Sequence, residues 1–276
     1  GYKHVLEPQG IRSEMYYIPQ PSQLPTEHHH TTWVADRAID FLEHHDDSQP
    51  FFLWTSFIKP HPPFESPTPW NKLYRAADMM PPFRPDGFED LLTYWNHFQN
   101  RYKYRDKGYD EMLMRTIKAM YYACISFIDY NVGRMLDALG DKAANTLIVY
   151  TSDHGEMLGD YGSVGKRSML NAAANIPMIV KWHDGSGKNE RIDTPVSLID
   201  LFPTFANAAG IDSDKQKPSN EGEDLYKIMS GNTNREYVYS QHSEQSTGLY
   251  MIASRDYKYI YSAADRKSWL FDLQKD

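Results

Sequence analysis

NTLIVYTSDHGEMLGDYG, residues 145–162, changes character at Asp153. Asn145 to Ser152 is a short apolar, β-branched run, and the residues after it are polar and rich in glycine. A run of that length without alternation predicts a buried strand, and its glycine-rich sequel predicts the loop at the strand's end. Two further runs share this character: PFFLWTSFI, Pro50 to Ile58, and IPMIVKW, Ile176 to Trp182. The first empties into KPHPPFESPTP, which cannot be regular structure because proline removes backbone donors.

Helical patterns lie between these runs. TTWVADRAIDFLEHH places Trp33, Ala35, Ile39 and Leu42 near one face, with Thr31 or Thr32 as the expected N-cap. A longer helix is expected from Tyr109, with Met112, Ile117, Met120, Ile125, Ile128, Val132, Met135 and Leu139 recurring at three to five residues and Gly140 as its C-cap. SLIDLFPTFANAAGI, Ser197 to Ile211, reads as an apolar helix started or interrupted at Pro203. From Tyr237 the chain alternates enough to suggest short antiparallel strands. Residues 1–27 read as an extended surface segment, and 66–110, rich in Pro, Tyr and Trp without a clear period, as a long surface excursion of the kind that carries substrate contacts. Strand–helix–strand alternation followed by a strand-rich tail says α/β with an appended subdomain.

The sequence has 276 residues, 41% hydrophobic, 24% charged and 14% aromatic, with a mean hydropathy of −0.65. That is a folded globular composition with enough chain for a sizeable core. The net charge of −8 argues against a general nucleic-acid binder, because phosphate contacts need clustered cations. No apolar run approaches the roughly 20 residues of a membrane span. The single cysteine, Cys124, excludes an internal disulfide and a Cys-rich zinc module, and its mid-helix position makes it a buried structural thiol. His28, His29 and His30 have zinc-ligand chemistry, but no matching ligand spacing accompanies them and they are expected to face solvent. GYKHVLEPQG has neither the basic nor the apolar region of a signal peptide, and the first residue is not Met, so the start is expected to be an internal cut.

Strand ends in α/β proteins gather functional groups. Asp153 and His154, side by side at such an end, can reach one cation; carboxylate oxygen favours Ca²⁺ or Mg²⁺, imidazole a transition metal, so residue type leaves the ion open. A capped turn would explain an isolated Asp-His-Gly as well. Lys166 follows a glycine-rich turn, and a compact ammonium suits an oxyanion of a sulfate or phosphate ester, although a solvated lysine is the plainer explanation of one residue. His61, held between prolines, is an imidazole able to donate a proton to a leaving group, or simply a hydrogen-bonded loop histidine.

The order of these features resembles the sulfatase family of the alkaline phosphatase superfamily. The likeness runs through FFLWTSFIKPHPPF, YYACISFIDYNVGRMLDAL, TLIVYTSDHGEMLGDYGSVGKRSMLNAAANIPMIV, SLIDLFPTFANAAGI and DYKYIY…WLFDLQKD, covering nearly all of the chain from His30. It implies that Asp153 and His154 are metal ligands, usually to Ca²⁺, with Mg²⁺ or another divalent ion as alternatives. It implies that Lys166 holds the sulfate and that His61 contacts the ester or the nucleophile. The family's nucleophile is a formylglycine made from Cys or Ser in a C/S-x-P/A-x-R motif near the start of the domain. It is expected upstream and not in this chain: Cys124 lies mid-helix, and Ser66-Pro67-Thr68-Pro69 and Ser168-Met169 fail the pattern. The paired aspartates of the family's first strand are missing too; Asp46-Asp47 reads as a solvated turn. Leu170 and Asn171 stand where relatives often show an aromatic and an acid, which bears on substrate contacts and not on the metal.

The resemblance therefore implies an alkaline-phosphatase-like α/β/α sandwich with a mixed central sheet, plus a small C-terminal antiparallel-sheet subdomain. Residues 1–212 would be the later portion of the catalytic domain and 213–276 the subdomain, cut at both ends, with the missing upstream segment as a partner. The implied activity is sulfuric ester hydrolysis, with periplasmic, secreted or lysosomal localisation. The aromatic richness of 66–110 points to a sulfated glycan, with Trp70 and Trp95 as stacking rings. Phosphonate or phosphate ester hydrolysis, or glycan binding without turnover, are the competing readings.

Overall fold

The computed structural model describes residues 18–104, 110–211 and 221–276, with the side chains of 102–104 excepted. The expected surface segment at 1–17 lies outside these residues. The chain forms two compact units: residues 1–85, 100–143 and 158–162 in the first, and 86–99, 144–157 and 163–276 in the second.

In the first unit β1 (Gln20–Pro21) pairs in parallel with β2 (Glu65–Ser66). Helix α1 (His30–His44) packs along the long α3 (Glu111–Leu139). The buried stripe of α1 is Thr31, Ala35, Ala38 and Leu42, spaced by three to four residues, with Thr32 beside it. Trp33, expected inside, is 62% exposed because it lies two residues, about 200° of helix, from Ala35. Its N-cap is His29, whose Nδ1 accepts from the Thr31 amide at 3.2 Å; neither Thr31 nor Thr32 caps it. Asp110 caps α3 through the Leu113 amide at 3.0 Å, and Gly140 ends it at φ 53°, as expected. The α3 stripe is Met114, Ile117, Met120, Cys124, Phe127 and Ile128, while Met112 and Ile125 face outward.

Pro50 to Ile58 is not a buried strand. It enters no ladder among the described residues, its exposure alternates, and Phe52, Trp54 and Ile58 are exposed. A strand needs a hydrogen-bonded neighbour, which an apolar run alone does not supply.

In the second unit β3 (Ile148–Thr151) pairs antiparallel with β4 (Met178–Lys181). Leu147, Val149, Met178 and Val180 pack on a core of Trp182, Leu201, Leu225 and Ile228. The last three come from α5 (Leu201–Ala208) and α6 (Leu225–Met229), which follow α4 (Asn171–Ala174) and β4 in the chain. Ser197 and Asp200 form a capping box before α5, and Pro203 sits in its first turn, where a missing amide costs little. Strands β5 (Val238–His242), β6 (Leu249–Ala253), β7 (Tyr257–Ser262) and β8 (Lys267–Asp272) form an antiparallel meander, as the tail's alternation predicts.

The excursion at 66–110 holds single turns at Trp70–Lys72, Ala76–Asp78 and Phe88–Leu91, and then helix α2 (Tyr94–Tyr104). The sequence conceals α2 because its buried residues among those described, Asn96 and Gln99, are polar.

Candidate active site

Strand β3 releases the chain at Ser152, and two backbone bonds join the next residues to helix α4 and to the loop that carries Lys166. Gly155 N donates to Ala173 O at 2.8 Å, and Met157 N donates to Gly165 O at 2.8 Å. Gly165 N also donates to the Glu156 carboxylate. A Cβ on Gly155 would come within 2.1 Å of Ala172 O, so only glycine lets the two loops approach this closely. Asp153, His154 and Lys166 thus sit on adjoining, hydrogen-bonded loops.

His154 has its Nδ1 2.8 Å from Gly155 O, and a ring hydrogen placed there would leave the Nε2 lone pair for a cation. That Nε2 lies 3.2 Å from Asp153 Oδ2, while the His154 amide donates to Asp153 Oδ1 at 3.0 Å. Two electron-donating atoms facing each other, one on an imidazole anchored to a carbonyl, fit a shared cation. The Asp153 side chain is 80% exposed and therefore open to one. They furnish two donors only: among the described residues no group of three His, Cys, Asp or Glu side chains is placed to hold a metal.

Lys166 is fixed through its backbone. Its amide and that of Arg167 both donate to Gln99 Oε1, at 2.9 and 3.1 Å. The Arg167 guanidinium lies over the Trp95 and Phe98 rings of α2, 5.4 and 5.5 Å from their centroids. Farther along, buried Lys258 of β7 donates to Met169 O at 3.2 Å and to Asn171 Oδ1. Burial pushes the Lys258 ammonium down to about 8. Sequence alone does not single out Gln99, Arg167, Glu156 or Lys258; the adjacency of Arg167 to Lys166 is the one available signal.

His61 belongs to the first unit. Its Nδ1 is 2.8 Å from Pro62 O and its amide donates to Ile58 O at 3.1 Å, between the cis peptides Lys59-Pro60 and Pro62-Pro63. Near it in sequence, Lys59 is buried and donates to Pro63 O, with Glu65 Oε1 at 3.4 Å.

The remaining sequence expectations divide. Cys124 is buried, donates to Glu65 O at 3.0 Å, and is pushed up to about 12 by burial. Asp46 and Asp47 are exposed as expected, Asp47 pairing with Lys142 at 2.6 Å. The histidine triplet departs from expectation: His28 is exposed, but His29 is fully buried and His30 partly so. His29 turns inward because it caps α1 and packs edge-on against Phe127 at 5.4 Å. Trp70 packs on Phe127 and Tyr130, at 5.1 and 5.0 Å, which occupies it with protein rings. One stretch, Ser262-Ala263-Ala264-Asp265-Arg266, does spell S-x-A-x-R. It is the β7–β8 turn, where Ser262 is fully buried and bonded to Asp265 at 2.5 Å, a hairpin and not a nucleophile site.

The sulfatase family model matches residues 1–211. The chain belongs to the sulfatase family. A second model, N-sulphoglucosamine sulphohydrolase, C-terminal, matches residues 159–276. The arylsulfatase of Clostridium perfringens (strain 13 / Type A) is 29% identical over 265 residues, covering 90% of this chain and 52% of that protein. The chain spans about half the length of the curated relatives it matches. Among solved structures, the phosphonate monoester hydrolase SpPMH from Silicibacter pomeroyi superposes with a TM-score of 0.79 at 24% identity, covering 100% of this chain and 62% of that one. The structure of BT4656 in complex with its substrate D-glucosamine-2-N,6-O-disulfate gives a TM-score of 0.62 at 21% identity, over 89% of this chain and 63% of that one. These likenesses establish the alkaline-phosphatase-like fold. No helix among the described residues is long and apolar enough to cross a membrane.

Proposed function

We propose that this sulfatase-family chain carries the cation-binding and sulfate-binding part of a sulfuric ester hydrolase acting on a sulfated carbohydrate. The observation that carries the proposal is the joining of the Asp153-His154 loop to the Lys166 loop through Met157 and Gly165. Asp153 and His154 would hold the divalent cation, Ca²⁺ or Mg²⁺. When bound, such a cation would draw charge from sulfate oxygens, and the family's formylglycine would supply the attacking oxygen. Lys166 places its ammonium on a sulfate oxygen and lowers the cost of charge building there. His61 is the residue that the family likeness would assign to contact with the ester or the nucleophile. The sulfated-sugar substrate of BT4656 supports a carbohydrate ester.

The likeness to a phosphonate monoester hydrolase favours a second reading, in which the same cation and lysine serve a phosphonate ester. Rates of the full-length polypeptide on 4-nitrocatechol sulfate and on an aryl phosphonate decide between them. Faster sulfate release, falling by about 10²- to 10³-fold in Lys166→Ala, is expected. Faster phosphonate cleavage would select the second reading, and sugar binding without turnover of either ester would reduce the site to a binding site.

A further inference from the structure

The Arg167 guanidinium has an unusual setting. Two rings flank it on one side, Trp95 at 5.4 Å and Phe98 at 5.5 Å, their centroids 5.6 Å apart, yet among the described residues no carboxylate or carbonyl accepts from its N–H groups. Aromatic stacking orients a guanidinium while leaving its edge, a fork of donors, pointing outward. His242, at the end of β5, meets the other side of this assembly: its ring is edge-on to Trp95 at 4.6 Å. Burial, and then the charge of Arg167, hold the His242 imidazole below its ordinary value. Two buried nitrogens, His242 Nε2 and Gln99 Nε2, have no hydrogen-bond partner. Gln99 is 4% exposed, and its Oε1 holds the amides of both Lys166 and Arg167. A chain of net charge −8 therefore keeps, one residue from Lys166, an oriented cation with no anion among the described residues to match it.

Such a fork fits the two oxygens of a carboxylate or sulfate in a bidentate pair. We infer that Arg167, supported by Trp95, Phe98 and Gln99, forms a subsite for a second acidic group on the substrate, a uronate carboxylate or a further sulfate. The inference rests on the ester hydrolysis proposed above and narrows it to esters of polyanionic sugars. Arg167 is then a specificity-determining residue: it engages the sugar's second charge, while Lys166 engages the ester that is cleaved.

The test compares three sulfate esters on the full-length enzyme: one of a neutral sugar, one of a uronate-bearing disaccharide and one of a disulfated disaccharide. The wild type is expected to favour one or both acidic substrates in kcat/KM, less so as salt is raised. Charged, bidentate contacts imply a preference of roughly ten- to a hundredfold. Arg167→Met is expected to remove that preference, and Arg167→Lys to restore part of it, since lysine keeps the charge without the fork. The two acidic arms identify which group is held. An equal fall on all three substrates in Arg167→Met, or a wild type without preference, would overturn the subsite. If the wild type cleaves no sulfate ester, the hydrolase reading fails by itself. Calorimetric binding of the uronate-bearing disaccharide then decides the subsite: weaker binding in Arg167→Met sustains it, and unchanged or absent binding rejects it.

Discussion

Two clusters of basic side chains set different problems. The first gathers His29, His30 and Lys59 around Cys124 and Glu65 in the interior of the first unit. The second gathers His154, Lys166 and Arg167 at the open end of β3 in the other. In the interior, desolvation dominates: His29 is held down to about 3 and His30 to about 4, first by burial and then by neighbouring positive charge. Burial also lowers the Lys59 ammonium, partly offset by Glu65. At the open end, Asp153 keeps 80% of its side chain in solvent. Perturbed ionisation therefore marks the packed cluster, while the Asp153 carboxylate, suited to a cation, keeps its side chain in water. Strong displacement of a pKa is a sign of burial before it is a sign of function.

The sharpest way to break this contrast is at Lys59. Its side chain is 2% exposed, and Lys59→Ala would leave Pro63 O and Glu65 without their cation. A loss of about 3 kcal/mol is expected from urea denaturation, with most of it recovered when Lys59→Met is combined with Glu65→Gln. A loss near zero would mean that the interior cluster bears no structural load.

The histidines give the next effect, and linkage fixes its sign. Both are neutral when folded and charge near their ordinary value of 6.5 when unfolded, so below that pH the unfolded chain binds more protons. Stability is expected to fall as pH drops from about 6.5 toward 4, by on the order of 1.4 kcal/mol per pH unit for each histidine. His29→Asn, which keeps an acceptor for the Thr31 amide, should flatten that slope. Denaturation midpoints across the acid range measure it, and an unchanged slope would contradict the burial of His29.

The smallest expected effect lies at the open end. Asp153→Asn and Lys166→Met should each change stability by less than about 0.5 kcal/mol, because both side chains reach solvent. Turnover of the sulfate ester should nonetheless collapse in both. A destabilisation as large as that of Lys59→Ala would make them structural residues and erase the distinction between the clusters.

Legibility in the sequence tracks the range of the interactions. β3, β4, α3 with its Gly140 cap and the strand-rich tail are all readable, because apolar period, glycine and proline act within a few residues of themselves. Asp153, His154, Lys166 and His61 are proposed as site residues from motif order alone, and the close approach at Gly155 explains why that motif needs its glycine. Helix α2 is not readable, since its inward face is Asn96 and Gln99. Nor is the exposure of Pro50 to Ile58, whose apolar content predicts burial but whose pairing depends on a neighbouring strand.

The sequence by itself determined the family, β3, β4, α3 and the strand-rich tail, and the identity of the residues at the end of β3. Only the tertiary structure decided that His29 lies inside while Asp153 lies in solvent, and that Arg167 rests on Trp95 and Phe98. The physical reason is that a side chain's charge, solvation and partners are set by segments distant in the chain. Gln99 reaches 67 and 68 residues along the sequence to hold the Lys166 and Arg167 amides. No local pattern encodes that meeting.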